Sequence, residues 1–364
     1  MTKDLRWTGS FLAFVGLLVC LFFPHRAAAQ QFSDWSAPVN LNALTLSDGT
    51  PCPAVVNSAS NDNHPTISKD GLSLIFESNR PGGSGGSDLW VTERDSLDDC
   101  WLPPFNLGPI VNSAFGDFAP NLTTDGHWLY FSSNRPTSLT ADGIAVPSCG
   151  GGDLYVSHRQ DKRNDRGWEA PVKLDCTINT PGFDQAGPTS FEDDATGTHY
   201  LYFTQRPIGA SDVLFDIYVS TCTADLATCN TQGLWGTGIL VDTLSSSPFR
   251  DTRTAIRRRD GLEMILSTGR PGSLASENLW VSTRATTQDQ DWSPPVPINC
   301  NWLVPTPCPA WAPVGPLVNS SAFDGAPALS WDGLTLYFFS ERTDLPGFKG
   351  GRDLYVSKRT KLPD

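Results

Sequence analysis

The chain has 364 residues and a formal charge of −13 at neutral pH. Like charge repels phosphate at long range, which argues against nucleic acid and anionic lipid as partners. Only 18% of residues are charged, and 32 glycines and 29 prolines interrupt the sequence, a composition suited to a loop-rich β protein.

Residues 1–29 read as a secretory signal. Lys3 and Arg6 give a basic start, residues 11–23 an apolar core, and Ala27, Ala28 and Ala29 a small-residue cleavage site. The apolar core is too short to span a membrane comfortably, so a secreted or periplasmic protein with no membrane span is expected. Val19 before Cys20 is not the small residue that lipid attachment wants, so Cys20 reads as incidental. Cleavage removes three basic residues and one acidic residue, taking the charge from −13 to −15.

From residue 30 onward one unit recurs five times. The units open at Trp35, Trp101, Trp168, Trp235 and Trp292. Each continues into an Asn- and Asp-rich stretch, then a turn: Asp70-Gly71, Asp125-Gly126, Asp260-Gly261 and Asp332-Gly333, with a longer loop at 192–198 in the third copy. Asp-Gly between two extended runs is a hairpin signal, because Gly takes the positive φ of a twist-matched turn. An apolar run follows and closes on Arg80, Arg135, Arg206, Arg270 or Arg342. Then come Asp88-Leu-Trp-Val-Thr, Asp153-Leu-Tyr-Val-Ser, Asp216-Ile-Tyr-Val-Ser, Asn278-Leu-Trp-Val-Ser and Asp353-Leu-Tyr-Val-Ser. Four copies end two residues later in Arg94, Arg159, Arg284 and Arg359.

Four short strands per unit at a fixed period predict an all-β, five-bladed β-propeller, a single domain over residues 30–364 with four-stranded antiparallel blades. The sequence begins with an outer strand, 35–41, and stops just after a third strand, 353–359. The first strand is therefore expected to complete the last blade and tie the termini together.

The pattern Asp-x-x-Pro-x-x-Ser-x-Asp-Gly-x-x-Leu-x-Phe-x-Ser-Asn-Arg resembles the WD40-like PD40 repeat of the TolB family. Residues 117–135 match it almost in full and 62–80 nearly so. Copies three and four depart from it, with Gln205-Arg206 and Gly269-Arg270 in place of Asn-Arg. TolB differs in having six blades and an extra N-terminal domain.

Candidate chemistry is read against this repeat. Asp62, Asp117, Asp184 and Asp324 start inner strands, and copy four offers Arg250-Asp251. Such a ring could hold Ca2+ or supply a glycosidase acid and base, or serve the scaffold alone. No other cofactor is expected. The five strand-closing Arg residues are expected to pair with the third-strand Asp residues of their own blades. Residues that break the repeat point more directly to function. His64 stands in a variable inner-strand position, and Arg250 and Arg253 make the fourth inner strand basic. Period-two alternation places Arg253 and Arg257 on one face, an anion clamp for uronate, sulfate or phosphate. Trp302 and Trp311, in a long connection outside the repeat, could stack on sugar rings.

Eight cysteines remain after the signal. In an exported protein they suggest disulfides, and loop proximity pairs Cys149 with Cys176, Cys222 with Cys229 and Cys300 with Cys308. Strand direction puts Cys52 and Cys100 on opposite rims, so their pairing stays open. No nucleophile-elbow, zinc-helix, phosphate-loop or dinucleotide motif appears, and no catalytic residue is assigned. The expected role is a non-catalytic exported scaffold for a protein or a cell-envelope or extracellular glycan. The alternative is a glycoside hydrolase using axial carboxylates. Any ligand is expected at the mouth where the inner strands begin, shaped by Asp62, His64, Asp117, Asp184, Arg250, Arg253 and Asp324.

Overall fold

A computed structural model describes residues 32–139, 145–147, 149–287, 292–298 and 318–363. The signal segment, Cys300, Cys308, Trp302 and Trp311 lie outside the described residues. Five four-stranded antiparallel sheets form the blades of a propeller. The inner strands are Asp62–Ile67, Asp117–Leu122, Phe183–Asp193, Asp251–Ile256 and Asp324–Leu329. The outer strand of blade five is Val39–Asn40, from the start of the chain, in register with Val356 and Tyr355. Ser33 and Ser36 extend this seam through backbone bonds to Thr360 and Lys358.

The repeated residues hold each blade in repeated ways. In blades one, two, four and five the second Arg donates Nε to the carbonyl of the turn glycine: Arg94 to Gly71, Arg159 to Gly126, Arg284 to Gly261 and Arg359 to Gly333. Its guanidinium then lies over the leading Trp, with centroid distances of 4.4 Å to Trp101, 4.3 Å to Trp168, 4.5 Å to Trp292 and 4.4 Å to Trp35. This arrangement combines a charge-assisted hydrogen bond with a cation–π contact. Blade three has Cys222 where the others have this Arg, and Cys222 is bonded to Cys229. A clamp between blades comes from Asn residues just before the next inner strand. Asn112, Asn179, Asn319 and Asn57 each accept from and donate to the backbone of the third-strand Leu.

The strand-closing Arg residues pair differently from the expectation. Arg80, Arg135, Arg270 and Arg342 bond the inner-strand carboxylates Asp62, Asp117, Asp251 and Asp324 at 2.5, 2.5, 2.6 and 2.6 Å. Both Asp62 and Asp88 stand opposite Ser78 in the sheet. Asp88 is turned away, accepting from the backbone N–H groups of Ser84 and Gly85 in the preceding glycine-rich loop.

Among the described residues three disulfides are present. Cys149–Cys176 and Cys222–Cys229 pair as expected, with Cα separations of 5.9 and 6.2 Å. Cys52–Cys100 also pairs, at 5.5 Å, which corrects the two-rim argument. Strand direction fixes only where a loop is anchored. The long connection after Val39–Asn40 forms a small hairpin in which Thr45 bridges Pro51. It packs Val55 and Val56 into the cluster containing Trp90 and Trp101, and so carries Cys52 across to the neighbour of Trp101.

Candidate ligand site at the axis

Every inner strand contains one residue in the left-handed region. These are His64, Ala119, Gly187, Arg253 and Ala326, with φ of 45, 52, 62, 49 and 48°. The strand pairing is irregular at the same place in each blade. A bulge there breaks the period of two and turns the residue toward the axis. This separates Arg253 from Arg257, which the sequence placed on one face. Arg257 is buried, bonds Asp260 and Glu263, and stacks on Phe32.

Three of the five axial residues are small, and the other two meet across the centre. Arg253 donates Nε to His64 Nε2 at 2.7 Å. Its side chain lies over Gly187, where a Cβ would come within 2.9 Å of Nη1 and 3.0 Å of Cδ. His64 Nδ1 is bonded to Glu77. Burial drives the His64 pKa down to about 4, with the Arg253 charge adding to the effect and Glu77 opposing it. The imidazole is therefore neutral at pH 7, donating from Nδ1 to Glu77 and accepting at Nε2. Burial alone would push Glu77 up, but His64, a hydrogen bond from Ser87 and the charge of Arg253 together outweigh it and hold the carboxyl below its ordinary range. Arg253 is lowered to about 10 by burial and by nearby Arg250, and it stays charged.

His64, Arg253 and Ala326 separate two chambers. The one toward the ends of the inner strands is lined by Ile67, Ile256, Leu329 and Arg258. The other opens where the inner strands begin. Its wall is formed by Arg250, Thr252, Glu277, Phe323, Phe339 and Arg352. Arg250 pairs with Glu277 at 2.8 Å, and Arg352 donates Nε to Glu341 at 2.9 Å while lying over Phe323 and Phe339. Burial raises the Glu277 pKa against the pull of Arg250 and Arg253.

The structure thus brings together His64, Arg250 and Arg253 among the sequence candidates. Asp62, Asp117 and Asp324 lie close in the chain but are fully buried. Their oxygens are taken by the Arg pair and by Ser58, Ser113 and Ser320, each through its backbone N–H and its hydroxyl. Asp184 is out of step by one residue. Gln185, paired with Gln205, occupies the ring position that Asp62 holds in blade one. Asp184 lies beside it, 3.2 Å from Arg206. Among the described residues no group of three or more His, Cys, Asp or Glu side chains is placed to hold a metal ion. Glu77, Glu277 and Arg352 were not singled out from the sequence. A signal was there, because Glu77 stands where the other second strands have Ser132, Thr204, Ser267 and Phe339. Glu277 and Arg352 stand where the other blades have Ser87, Gly152 and Phe215, just before the third strand.

Fold and site together define a five-bladed propeller with one polar, asymmetric pocket at an axial mouth. Solved structures with which it can be aligned include a thermostable family-43 glycoside hydrolase, at 13% identity over 85% of this chain and 92% of that chain, TM-score 0.50. The α-L-arabinofuranosidase from Lactobacillus brevis aligns at 14% identity over 84% and 91%, TM-score 0.49. An α-L-arabinofuranosidase from Podospora anserina, in complex with cellotriose, aligns at 11% over 91% and 97%, TM-score 0.49. At these identities the likeness concerns the fold. No family model matches the sequence, and no curated protein matches it.

Proposed function

We propose that the chain is an exported propeller of PD40-type repeats that binds a glycan, of the cell envelope or the extracellular space, at the mouth where its inner strands begin. One observation carries this reading. The scaffold residues repeat from blade to blade, while His64, Arg250, Arg253, Glu277 and Arg352 break the repeat and border a single pocket. Convergent polar groups beside the partly exposed ring of Phe323 suit a ligand rich in hydroxyls. A protein partner would be better served by a broad surface with an apolar centre. The three disulfides support an oxidising compartment. Among the described residues no helix is long and apolar enough to cross a membrane.

A second reading, glycan hydrolysis, is favoured by Glu277. It is the one carboxyl among the pocket's lining residues, and its raised proton affinity suits a general acid. The family-43 glycoside hydrolase that shares the fold agrees with this substrate class. Glu77 stands behind His64 and does not line the pocket, so binding without turnover comes first. The test is a panel of envelope and extracellular polysaccharides presented to the purified protein, with binding and release of reducing ends both measured. Binding that Arg253→Ala weakens supports the proposal. Reducing ends released by the wild type and not by Glu277→Gln would establish hydrolysis. Binding to none of the panel overturns both readings.

A further inference from the structure

The pocket contains three guanidinium groups in a chain that is otherwise strongly acidic. Two of them are neutralised. Arg250 is paired with Glu277 and Arg352 with Glu341. Arg253 has no carboxylate in direct contact among the described residues; its bonded neighbour is the neutral imidazole of His64. Its Nη1 is a buried donor with no acceptor, and so is Nε of Arg250. A buried donor without a partner costs free energy that a ligand oxygen would recover. Arg253, whose countercharge Glu77 lies beyond the imidazole, and the unused donors of Arg253 and Arg250 match one negative charge spread over two oxygens.

We infer that the pocket recognises a carboxylate, and that the glycan it takes carries uronic acid residues. This rests on the glycan-binding reading and deepens it. A dianion such as a phosphate monoester fits less well, because Glu277 already lies in the wall and Glu77 stands behind His64, so a second negative charge would meet repulsion. The carboxylate would take its hydrogen bonds from Arg253 and Arg250, both of which line the pocket. Both donors are held from behind, Arg253 by His64 and Arg250 by Glu277, so their positions are set before the ligand arrives.

The experiment compares oligouronides with their carboxyl-reduced counterparts by titration calorimetry on the whole mature protein. Galacturonate, mannuronate and guluronate tetramers serve as acidic probes. A sulfated galactan oligosaccharide and neutral xylan and arabinan oligosaccharides complete the set. The expected result is that at least one acidic probe binds about ten- to a hundredfold more tightly than its reduced form, the scale of a charge-assisted pair. That preference should shrink with added salt and vanish in Arg253→Gln, which keeps a long polar side chain in the same backbone conformation. Arg250→Gln, at a more exposed position, should reduce the preference severalfold and serves if Arg253→Gln does not fold. Equal affinity for every acidic probe and its reduced form overturns the inference. So does tighter binding of the sulfated probe. If neutral probes bind while no acid preference exists, the inference fails and the glycan-binding reading stands. If nothing binds, both fail.

Discussion

Asp353 is buried at the start of the third strand of blade five, and burial raises its pKa to about 6, with Asp62 of the neighbouring blade adding repulsion. Its counterpart in blade four is Asn278, which donates to Asp324 of the next blade at 3.2 Å. Asp353 accepts from Asn40 and Lys349 through Oδ2, and its Oδ1 has no partner among the described residues. Asp353→Asn should therefore stabilise the protein at pH 7 by about 1–3 kcal/mol. The sign follows from proton binding. A folded-state pKa above the unfolded value means that stability is greatest when the group is protonated and is lost as pH rises through about 6. The gain from Asn should thus be small near pH 4 and full above pH 7, as read by urea unfolding at several pH values. A variant less stable than wild type at pH 7 would show that the buried charge is compensated. At this scale the sequence was partly legible. His64 and Arg253 stood out because they interrupt a repeat. Asp184 misled, because it stands one residue ahead of the ring position: Asp62, Asp117 and Asp324 each lie three residues before a proline, and in the third copy that place before Pro188 belongs to Gln185.

Arg159 and Arg94 occupy the same place in neighbouring blades and make the same two contacts, with a turn glycine and a Trp. They differ in one respect. Arg159 is fully buried and paired with Asp165, which also accepts from Ser73 of blade one, while no carboxylate pairs with Arg94 among the described residues. Removing one partner of a buried ion pair strands the other, so Arg159→Ala should cost about 3–5 kcal/mol. Arg94→Ala should cost about 1–2 kcal/mol, the loss of a hydrogen bond and a cation–π contact. Chemical denaturation of both variants checks the contrast, and equal losses would remove Asp165 from the explanation. The recurring Arg and Trp residues are visible in the sequence, yet their contact is not, since the partners lie on different strands and meet only when the blade is assembled. The same holds for the Arg–Asp pairs. In blades one, two and five two aspartates flank the Arg-bearing strand, and the glycine-rich loop ahead of the third strand, by claiming one of them, decides the pairing.

The whole ring depends on a seam between the two ends of the chain. Val39 and Asn40 complete blade five, Trp35 covers Arg359, and Leu41 is buried in the interface with blade one. Deleting residues 32–42 should cost at least about 5 kcal/mol, since it removes a buried Trp and a buried Leu together with a strand. Thermal unfolding should then be broad or shifted well below the wild-type transition. A deletion variant with an unchanged melting curve would mean that closure contributes nothing. This joint was legible because the repeat begins and ends out of phase with the blades. The course of the loop carrying Cys52 was not, because its length frees it from strand direction.

The contact between His64 and Arg253 has a further consequence at this scale. It is a crossbar set into the bore of the ring, and it makes the pocket where the inner strands begin a blind alley. A polymer cannot be threaded from one face of the disc to the other. Whatever enters must offer a terminus or a side branch and must depart by the door it came through. If the ligand is a glycan as proposed, long strands would be gripped at their tips, and the number of free ends in a sample, more than its mass, would set how much of this protein it captures.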